Sequence, residues 1–431
     1  MGERQGMDVL VLGAGISGLW AALSLARLGK QVCMWEAGPG AGGLASGFRP
    51  GGQPAERFYH YVCASDSALR HEATALGLEL QWRACGLASW DGASAPQGLA
   101  SLGDLMALRR PWLEKASLAW GLWRCGSQGD DPALEAVEAR GWLSQAGTQA
   151  SAAQLLPLLD KKFGAKTPVS AAWLGQRLRR ASAGAGGLRR PRYALFKGGY
   201  AAFFDALLNA ARSAGVEVHF QRPASSLRRK SGLWQLRGPG GARARAKAVV
   251  AALPAPALTR LLPRPGQDRE VQNWTSKLKS LRYRRLVQPV FLLAEPALEY
   301  FWVNVLEASS PFCAAVQMDR LAGPCLAYVP AYVEAGGAVD GWSDARAKRE
   351  ALALLEKISG RRIKPLQAWV FRAPFAQPQV PPNFAQARPA PSSPWPGLFH
   401  LDAAHLYPED RSLDACLRLV DNLLPQMEAA S

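Results

Sequence analysis

From Asp8 onward the chain alternates short apolar runs with stretches of helical periodicity. Asp8-Val9-Leu10-Val11-Leu12 is a compact run of strand formers, as a central parallel strand requires. Leu19–Leu28 then reads as a helix, with Gly29 placed to cap it, and Gln31–Trp35 returns as a second strand ending at Glu36. Similar units recur later. Ala201–Ala214 is a helical stretch closed by Gly215, and Val216–Phe220 alternates as a strand. Lys247–Leu253 is a buried-strand candidate ended by Pro254 and Pro256, Leu398–Leu401 reads as a strand and Arg411–Leu424 as a helix. Between them, Leu102–Arg124 and Ala133–Gln145 give amphipathic helical patterns, and Ala181–Gly187 reads as a flexible connection. Strand-like runs follow at Leu286–Leu293, Tyr300–Val305, Cys325–Tyr332 and Gln367–Arg372, with a helix over Ser343–Ile358. No internal repeat is visible.

A length of 431 residues suits two or three domains, and 48% hydrophobic with 20% charged residues is an ordinary globular composition. The apolar stretch Val9–Ala26 is not read as a signal peptide, because Glu3 and Asp8 stand where positive charge belongs and no cleavage site follows. No other apolar run is long enough to span a bilayer. The seven cysteines are scattered, with no CxxC pair and no His at metal spacing, which argues against a disulfide framework and a zinc site. A reducing compartment, the cytoplasm, is expected.

The formal charge of +17 changes this picture in one respect. It reflects either Arg spread over solvated faces or attraction to an anionic partner. That partner would be a membrane surface or a phosphorylated or carboxylated substrate. No nucleic-acid partner is expected, because no helix-turn-helix, RRM or zinc-finger signature accompanies the charge.

The candidate chemistry begins where the first strand ends, at Gly13-Ala14-Gly15-Ile16-Ser17-Gly18. Strand, glycine motif, helix and second strand make a βαβ unit of about thirty residues, the context in which such a motif binds a dinucleotide. Gly13 permits the tight turn, Gly15 lets the backbone approach a pyrophosphate, and Gly18 allows close helix–strand packing. Ile16 and Ser17 open the helix, whose free N–H groups and partial positive charge suit phosphates. Glu36, followed by Ala37, can accept hydrogen bonds from both ribose hydroxyls and would repel the extra phosphate of NADP. Gly42-Gly43-Leu44-Ala45 follows, and its paired glycines would let the chain pass close to a second part of the cofactor.

These residues resemble the superfamily of FAD-dependent amine oxidases, protoporphyrinogen oxidases and phytoene desaturases, whose fold UDP-galactopyranose mutase and the Rab GDP-dissociation inhibitors share. The glycine motif with Glu36, Gly42–Ala45, Phe196–Tyr200, Gly215–Phe220, Ala248–Pro254 and the stretch Pro396–Arg418 carry the resemblance in the family's order. It implies an α/β fold: a Rossmann-like FAD-binding domain of the glutathione-reductase type, with an α+β substrate domain. The FAD domain would be assembled from 1–62, 193–268 and 392–431. The substrate domain would have a helical part at 63–192 and a sheet part at 269–391. The cofactor would be FAD, Val218 would lie beside the adenine, and the helix Arg411–Leu424 would point its N-terminus at the flavin, with Asp410, Arg411 and Ser412 as cofactor contacts. Two departures stand out. Gly38-Pro39-Gly40-Ala41 replaces the Arg or Lys that usually precedes the paired glycines. Leu401-Asp402-Ala403-Ala404 replaces the common Gly-Asp, with Asp402 taking that Asp's role on the ribityl chain.

In such a flavoenzyme the isoalloxazine takes the hydride and the protein supplies orientation and electrostatics. His60, in Arg57-Phe58-Tyr59-His60-Tyr61, lies where the family's chain passes the flavin face; Arg372 and Tyr407 are the other candidate catalytic residues. The function implied is oxidation of a small organic or lipid-like substrate by hydride transfer. A non-redox flavin mutase acting on a nucleotide sugar, or a lipid-binding chaperone, are the alternatives. Leu105–Leu113, with Trp120 and Trp123 beyond it, mixes aromatic and basic residues; it either rests on a membrane surface or packs its apolar side inward.

Overall fold

The computed structural model describes residues 6–185 and 189–431. Its first sheet has seven strands. Glu217–His219, Val32–Trp35, Met7–Leu12 and Arg243–Ala251 run parallel in that order, and Leu398–His400 adds a further parallel partner to Arg243–Ala251. Leu233–Arg237 and Ser226–Lys230 extend it antiparallel. Where the parallel strands are covered on both faces they are apolar at successive positions: Val9, Val11, Val32 and Met34 pack one way, and Leu10, Leu12, Trp35 and Val249 the other. The first face is covered by the helices Ile16–Arg27, Gly199–Ser213 and Leu413–Ala429.

A second sheet of eight strands is centred on the long antiparallel pair Tyr283–Leu292 and Gln367–Pro378. The helix Asp344–Ser359 packs against it. The run Cys325–Tyr332 becomes two strands, Leu326–Tyr328 and Ala331–Val333, interrupted at Pro330.

The segment 63–192 is not purely helical. Leu87–Trp90 joins the eight-stranded sheet beside Trp302–Val305, and Leu80–Ala84 pairs with Arg192–Phe196 in a small sheet of its own. The pattern Leu102–Arg124 splits at Pro111 into the helices Leu102–Ala107 and Trp112–Ser127, as a missing N–H demands. The connection read at Ala181–Gly187 is helical as far as Ala185, where its alanines continue the helix that begins at Ala171; Gly186 and Gly187 lie outside the described residues. All seven cysteines are unbridged. No helix among the described residues is long and apolar enough to cross a membrane.

Candidate active site

The glycine motif is locked by sterics. Gly13 has φ +97°, and a Cβ on it would lie 2.5 Å from the Ala252 carbonyl oxygen; one on Gly18 would lie 1.9 Å from the Gly13 oxygen. Gly15 differs: a Cβ there would meet nothing within 4 Å, so the first turn of Ile16–Arg27 faces open space, and no side chain caps it. Gly42, at φ +116°, donates its N–H to the Ala14 carbonyl at 2.9 Å, bringing Gly43 close to Gly15. Glu36 accepts the N–H of Ala14 at 2.7 Å and of Gly38 at 2.6 Å, which leaves acceptor capacity on each oxygen. Ala37 and Leu44 are exposed, Ile16 and Ser17 half-buried, and Ala45 is buried. Val218 stands opposite Met34 on the edge strand beside Glu36. An uncapped helix start, a side-chain-free loop and a carboxylate at the strand end fit a dinucleotide pyrophosphate and ribose.

The C-terminal helix meets this cradle. Ser412 caps Leu413–Ala429 by accepting the Ala415 N–H at 3.0 Å, and the Cys416 thiol one turn on shares a hydrogen bond with Ser17. Trp20 Nε1 donates to Asp421 at 2.6 Å, tying the two helices together.

Immediately before the helix, Asp410 is buried among cations. Lys162 Nζ reaches its oxygens at 2.9 and 3.1 Å, and Arg177 lies at 3.3 Å. Arg411 donates to Gln377 Oε1, the Ala376 carbonyl and the Tyr332 hydroxyl, latching the turn to the second sheet. Burial would raise the Asp410 carboxyl, but Lys162, Arg177 and Arg411 hold it well below the usual range. Burial also pushes the Lys162 ammonium down to about 8, against the pull of Asp410. Three cations thus face one carboxylate. Arg180 has its own partner in Asp66 at 2.6 Å, and Arg418 is shared by Glu409 and Asp414 beside it.

His60 belongs to this cluster. Its Nδ1 lies 2.7 Å from the Phe58 carbonyl, which can only accept, so the neutral ring carries its proton there and Nε2 is an open acceptor with no partner among the described residues. Burial, aided by Arg411 and opposed by the Phe58 carbonyl, lowers it to about 4. Tyr59, His60, Tyr61, Arg177 and Arg411 are closely surrounded by protein, yet each keeps some free surface.

Three residues singled out in the sequence stand elsewhere. Arg372 is exposed on the rim of an open cleft of about 210 Å³ lined by Gly43, Leu44, Arg57 and Phe58, and is bonded to Asp344 and the Trp342 carbonyl. Tyr407 is buried against Ser170 and Glu135, where it braces the helical segment. Asp402 turns inward, accepting from Ala255 N–H, the Tyr283 hydroxyl and Ala404 N–H at 2.7–2.8 Å, which supports the loop and leaves the ribityl role unsupported. Sequence reasoning missed Lys162 and Arg177. Lys162 stands in Asp160-Lys161-Lys162 and Arg177 near Arg179 and Arg180, so nothing in the sequence singles either one out among its charged neighbours. Sequence reasoning also missed that Cys33, far in the chain from Glu217 and His219, places its ligand atom within 4.8 Å of theirs at the sheet edge.

Comparisons with known proteins agree with this geometry. The sequence profile of the family described as flavin containing amine oxidoreductase matches residues 16–404. Among solved structures, a candidate protoporphyrinogen oxidase from Exiguobacterium superposes with a TM-score of 0.75 at 18% identity, covering all of both chains. Putrescine oxidase bound to putrescine gives 0.72 at 17%, with 99% of each chain covered. Cyclohexylamine oxidase from Brevibacterium oxydans gives 0.68 at 15%, also with 99% of each. A curated relative, the inactive all-trans-retinol 13,14-reductase of Danio rerio, is 46% identical over 56 residues, which span 13% of this chain and 9% of that protein. The mutase and chaperone alternatives gain nothing from these matches. The chain belongs to the flavin containing amine oxidoreductase family, and it is an FAD-dependent oxidoreductase acting on a small molecule.

Proposed function

We propose that this enzyme oxidises a small organic substrate bearing an anionic group, at a carbon–nitrogen or carbon–carbon bond, beside the cluster of His60, Lys162, Arg177 and Arg411. The observation that carries the reading is the excess of buried positive charge around Asp410. A cationic amine entering there would meet like charge, whereas a carboxylate or phosphate would neutralise it.

Gly13, Gly15, Ile16, Ser17 and Gly18, with Gly42, Gly43, Leu44 and Ala45, would hold the pyrophosphate, Glu36 and Ala37 the ribose, and Val218 the adenine. Asp410, Arg411 and Ser412 would frame the flavin end. Bound FAD supplies the hydride acceptor. Lys162 and Arg177 orient the substrate through its anion. His60 offers Nε2 to a substrate N–H or O–H. A ring held near 4 does not keep a proton at neutral pH, so its part is to orient the substrate and pass a proton on.

Titrating the FAD-loaded protein with benzoate and with benzylammonium, followed by the shift of the flavin absorption band, tests this. Benzoate is expected to bind at least about tenfold more tightly, and Arg177→Met to erase the difference. Equal or tighter binding of benzylammonium overturns the anionic reading. A purified protein that neither carries nor takes up FAD overturns the placement of the cofactor.

A further inference from the structure

The helix Trp112–Ser127 presents its small residues to the protein and its large ones to solvent. Leu118, Gly121, Cys125 and Gly126 are buried, and a Cβ on Gly121 would come 2.4 Å from Ser151 Oγ, so the helix lies tight against Gln149–Phe163. On the outer side Trp112 is 73% exposed, Trp120 56% and Trp123 59%, with Leu113 beside them and Met106 on the preceding short helix. Positions 112, 116, 120, 123 and 127 fall within roughly a quarter-turn of one another, and Leu113 and Arg124 border them. The Trp120 and Trp123 rings rest on each other with centroids 5.0 Å apart. Monomeric proteins rarely leave so many large apolar side chains together in water.

The charge along this stretch is mostly positive. Between Met106 and Arg124 stand Arg109, Arg110, Lys115 and Arg124 against the lone Glu114. None of Arg109, Arg110 or Arg124 has an ion-pair partner among the described residues, although the structure pairs many arginines elsewhere.

We propose that this face docks on an anionic lipid surface. The Trp rings would sit at the level of the headgroups, where an amphipathic indole is best accommodated, and the arginines would meet lipid phosphates. A second copy of the chain is a poorer occupant: each copy carries a formal +17, and the rim of the patch offers almost no carboxylate to complement its own arginines. The docked helix packs directly on Gln149–Phe163 and Ala171–Ala185, the two helices that carry Lys162 and Arg177, so one helical layer would separate the bilayer from the charged cluster around Asp410. This inference does not depend on the proposed substrate.

The test is co-sedimentation of the FAD-loaded protein with phosphatidylcholine vesicles made with and without phosphatidylglycerol. Phosphatidylglycerol is expected to raise partitioning on the order of a hundredfold at low salt, and added salt to reverse the gain. The double substitution Trp120→Ser/Trp123→Ser should lower partitioning at least about tenfold while the flavin spectrum, as the measure of folding, stays that of the unsubstituted protein. Two results overturn the proposal: no preference for phosphatidylglycerol vesicles, or a double variant that partitions as well as the original. If analytical ultracentrifugation shows a dimer that the double variant dissociates, and neither form binds vesicles, the face belongs to a second copy and the proposal fails.

Discussion

Replacing Asp410 with Asn and Lys162 with Met removes opposite ends of one buried ion pair, and the two substitutions should have unequal costs. The side chains are 9% and 16% exposed, so neither charge is well solvated. With Asp410→Asn, Lys162, Arg177 and Arg411 lose their common counter-charge. Removing one partner of a buried pair costs about 3–5 kcal/mol. Lys162 can relieve part of this by shedding its proton, but a guanidinium cannot. With Lys162→Met, Asp410 keeps Arg177 at 3.3 Å and its contact with Arg411. The substitution also removes an ammonium that folding disfavours. The fall from 10.5 to about 8 amounts to roughly 3 kcal/mol, the net of burial and the repulsion of Arg177 and Arg411 over attraction to Asp410.

The sign with pH follows from that fall. Between about 8 and 10.5 the folded chain binds fewer protons at Lys162 than the unfolded chain does, so stability rises with pH through this window. Below about 8 the penalty is fully present. Urea denaturation at pH 7 and pH 10 measures both effects. At pH 7, Asp410→Asn should lose about 3–5 kcal/mol, whereas Lys162→Met should be within about 1 kcal/mol of the original protein or more stable. Lys162→Met should also lack the stability gained between the two pH values. If Lys162→Met costs as much as Asp410→Asn at pH 7, or keeps the original pH dependence, the account of the cluster as a carboxylate outnumbered by cations is wrong.

Two other outcomes are expected. Glu36→Ala should weaken FAD binding by about 1–3 kcal/mol, since it removes the proposed ribose acceptor and frees the Ala14 and Gly38 N–H groups; a fluorescence titration that finds unchanged affinity would place the ribose elsewhere. Because burial holds His60 near 4, its charge should not cut activity near pH 6.5: the acid limb of kcat/KM should fall toward pH 4, and His60→Asn should remove it. The same lowered value means that the folded chain binds fewer protons at His60 between 6.5 and about 4. Its contribution to stability is therefore full above 6.5 and lost as pH falls through that window. A limb near 6.5 that His60→Asn abolishes would show that the ring is better solvated than its burial indicates.

The cradle was legible because its logic is local. Gly13 and Gly18 are forced by contacts within one strand–turn–helix unit and its neighbouring strand, and Gly15 between them leaves the helix start open, so spacing alone reveals the motif. The candidate catalytic residues were harder because chain position does not fix side-chain direction. Arg372 lies on the right strand, Gln367–Pro378, but period-two alternation turns it out while Ala373 turns in. Asp402 and Tyr407 lie close in sequence to the turn that opens the C-terminal helix, yet Tyr283 and Ser170, each more than a hundred residues away, draw them elsewhere. Lys162 acquires meaning only from Asp410, 248 residues later.

Trp112–Ser127 shows a different limit. A hydropathy pattern marks Leu118, Gly121 and Cys125 as apolar just as it marks Trp112, Trp120 and Trp123, so periodicity finds two apolar stripes and cannot say which is inner. Size decides between them. The helix can approach Ser151 only where Gly121 leaves room, and a helix held that closely by its small face has no space for indoles on the same side. The large side chains are therefore left outside as a consequence of tight packing within. An inward-packed amphipathic helix would have needed the opposite distribution, with bulk facing the core and small or polar residues facing water. A sequence that keeps three tryptophans on the outer face, bordered by arginines with no ion-pair partner among the described residues, presents to water a surface that monomeric proteins rarely leave uncovered.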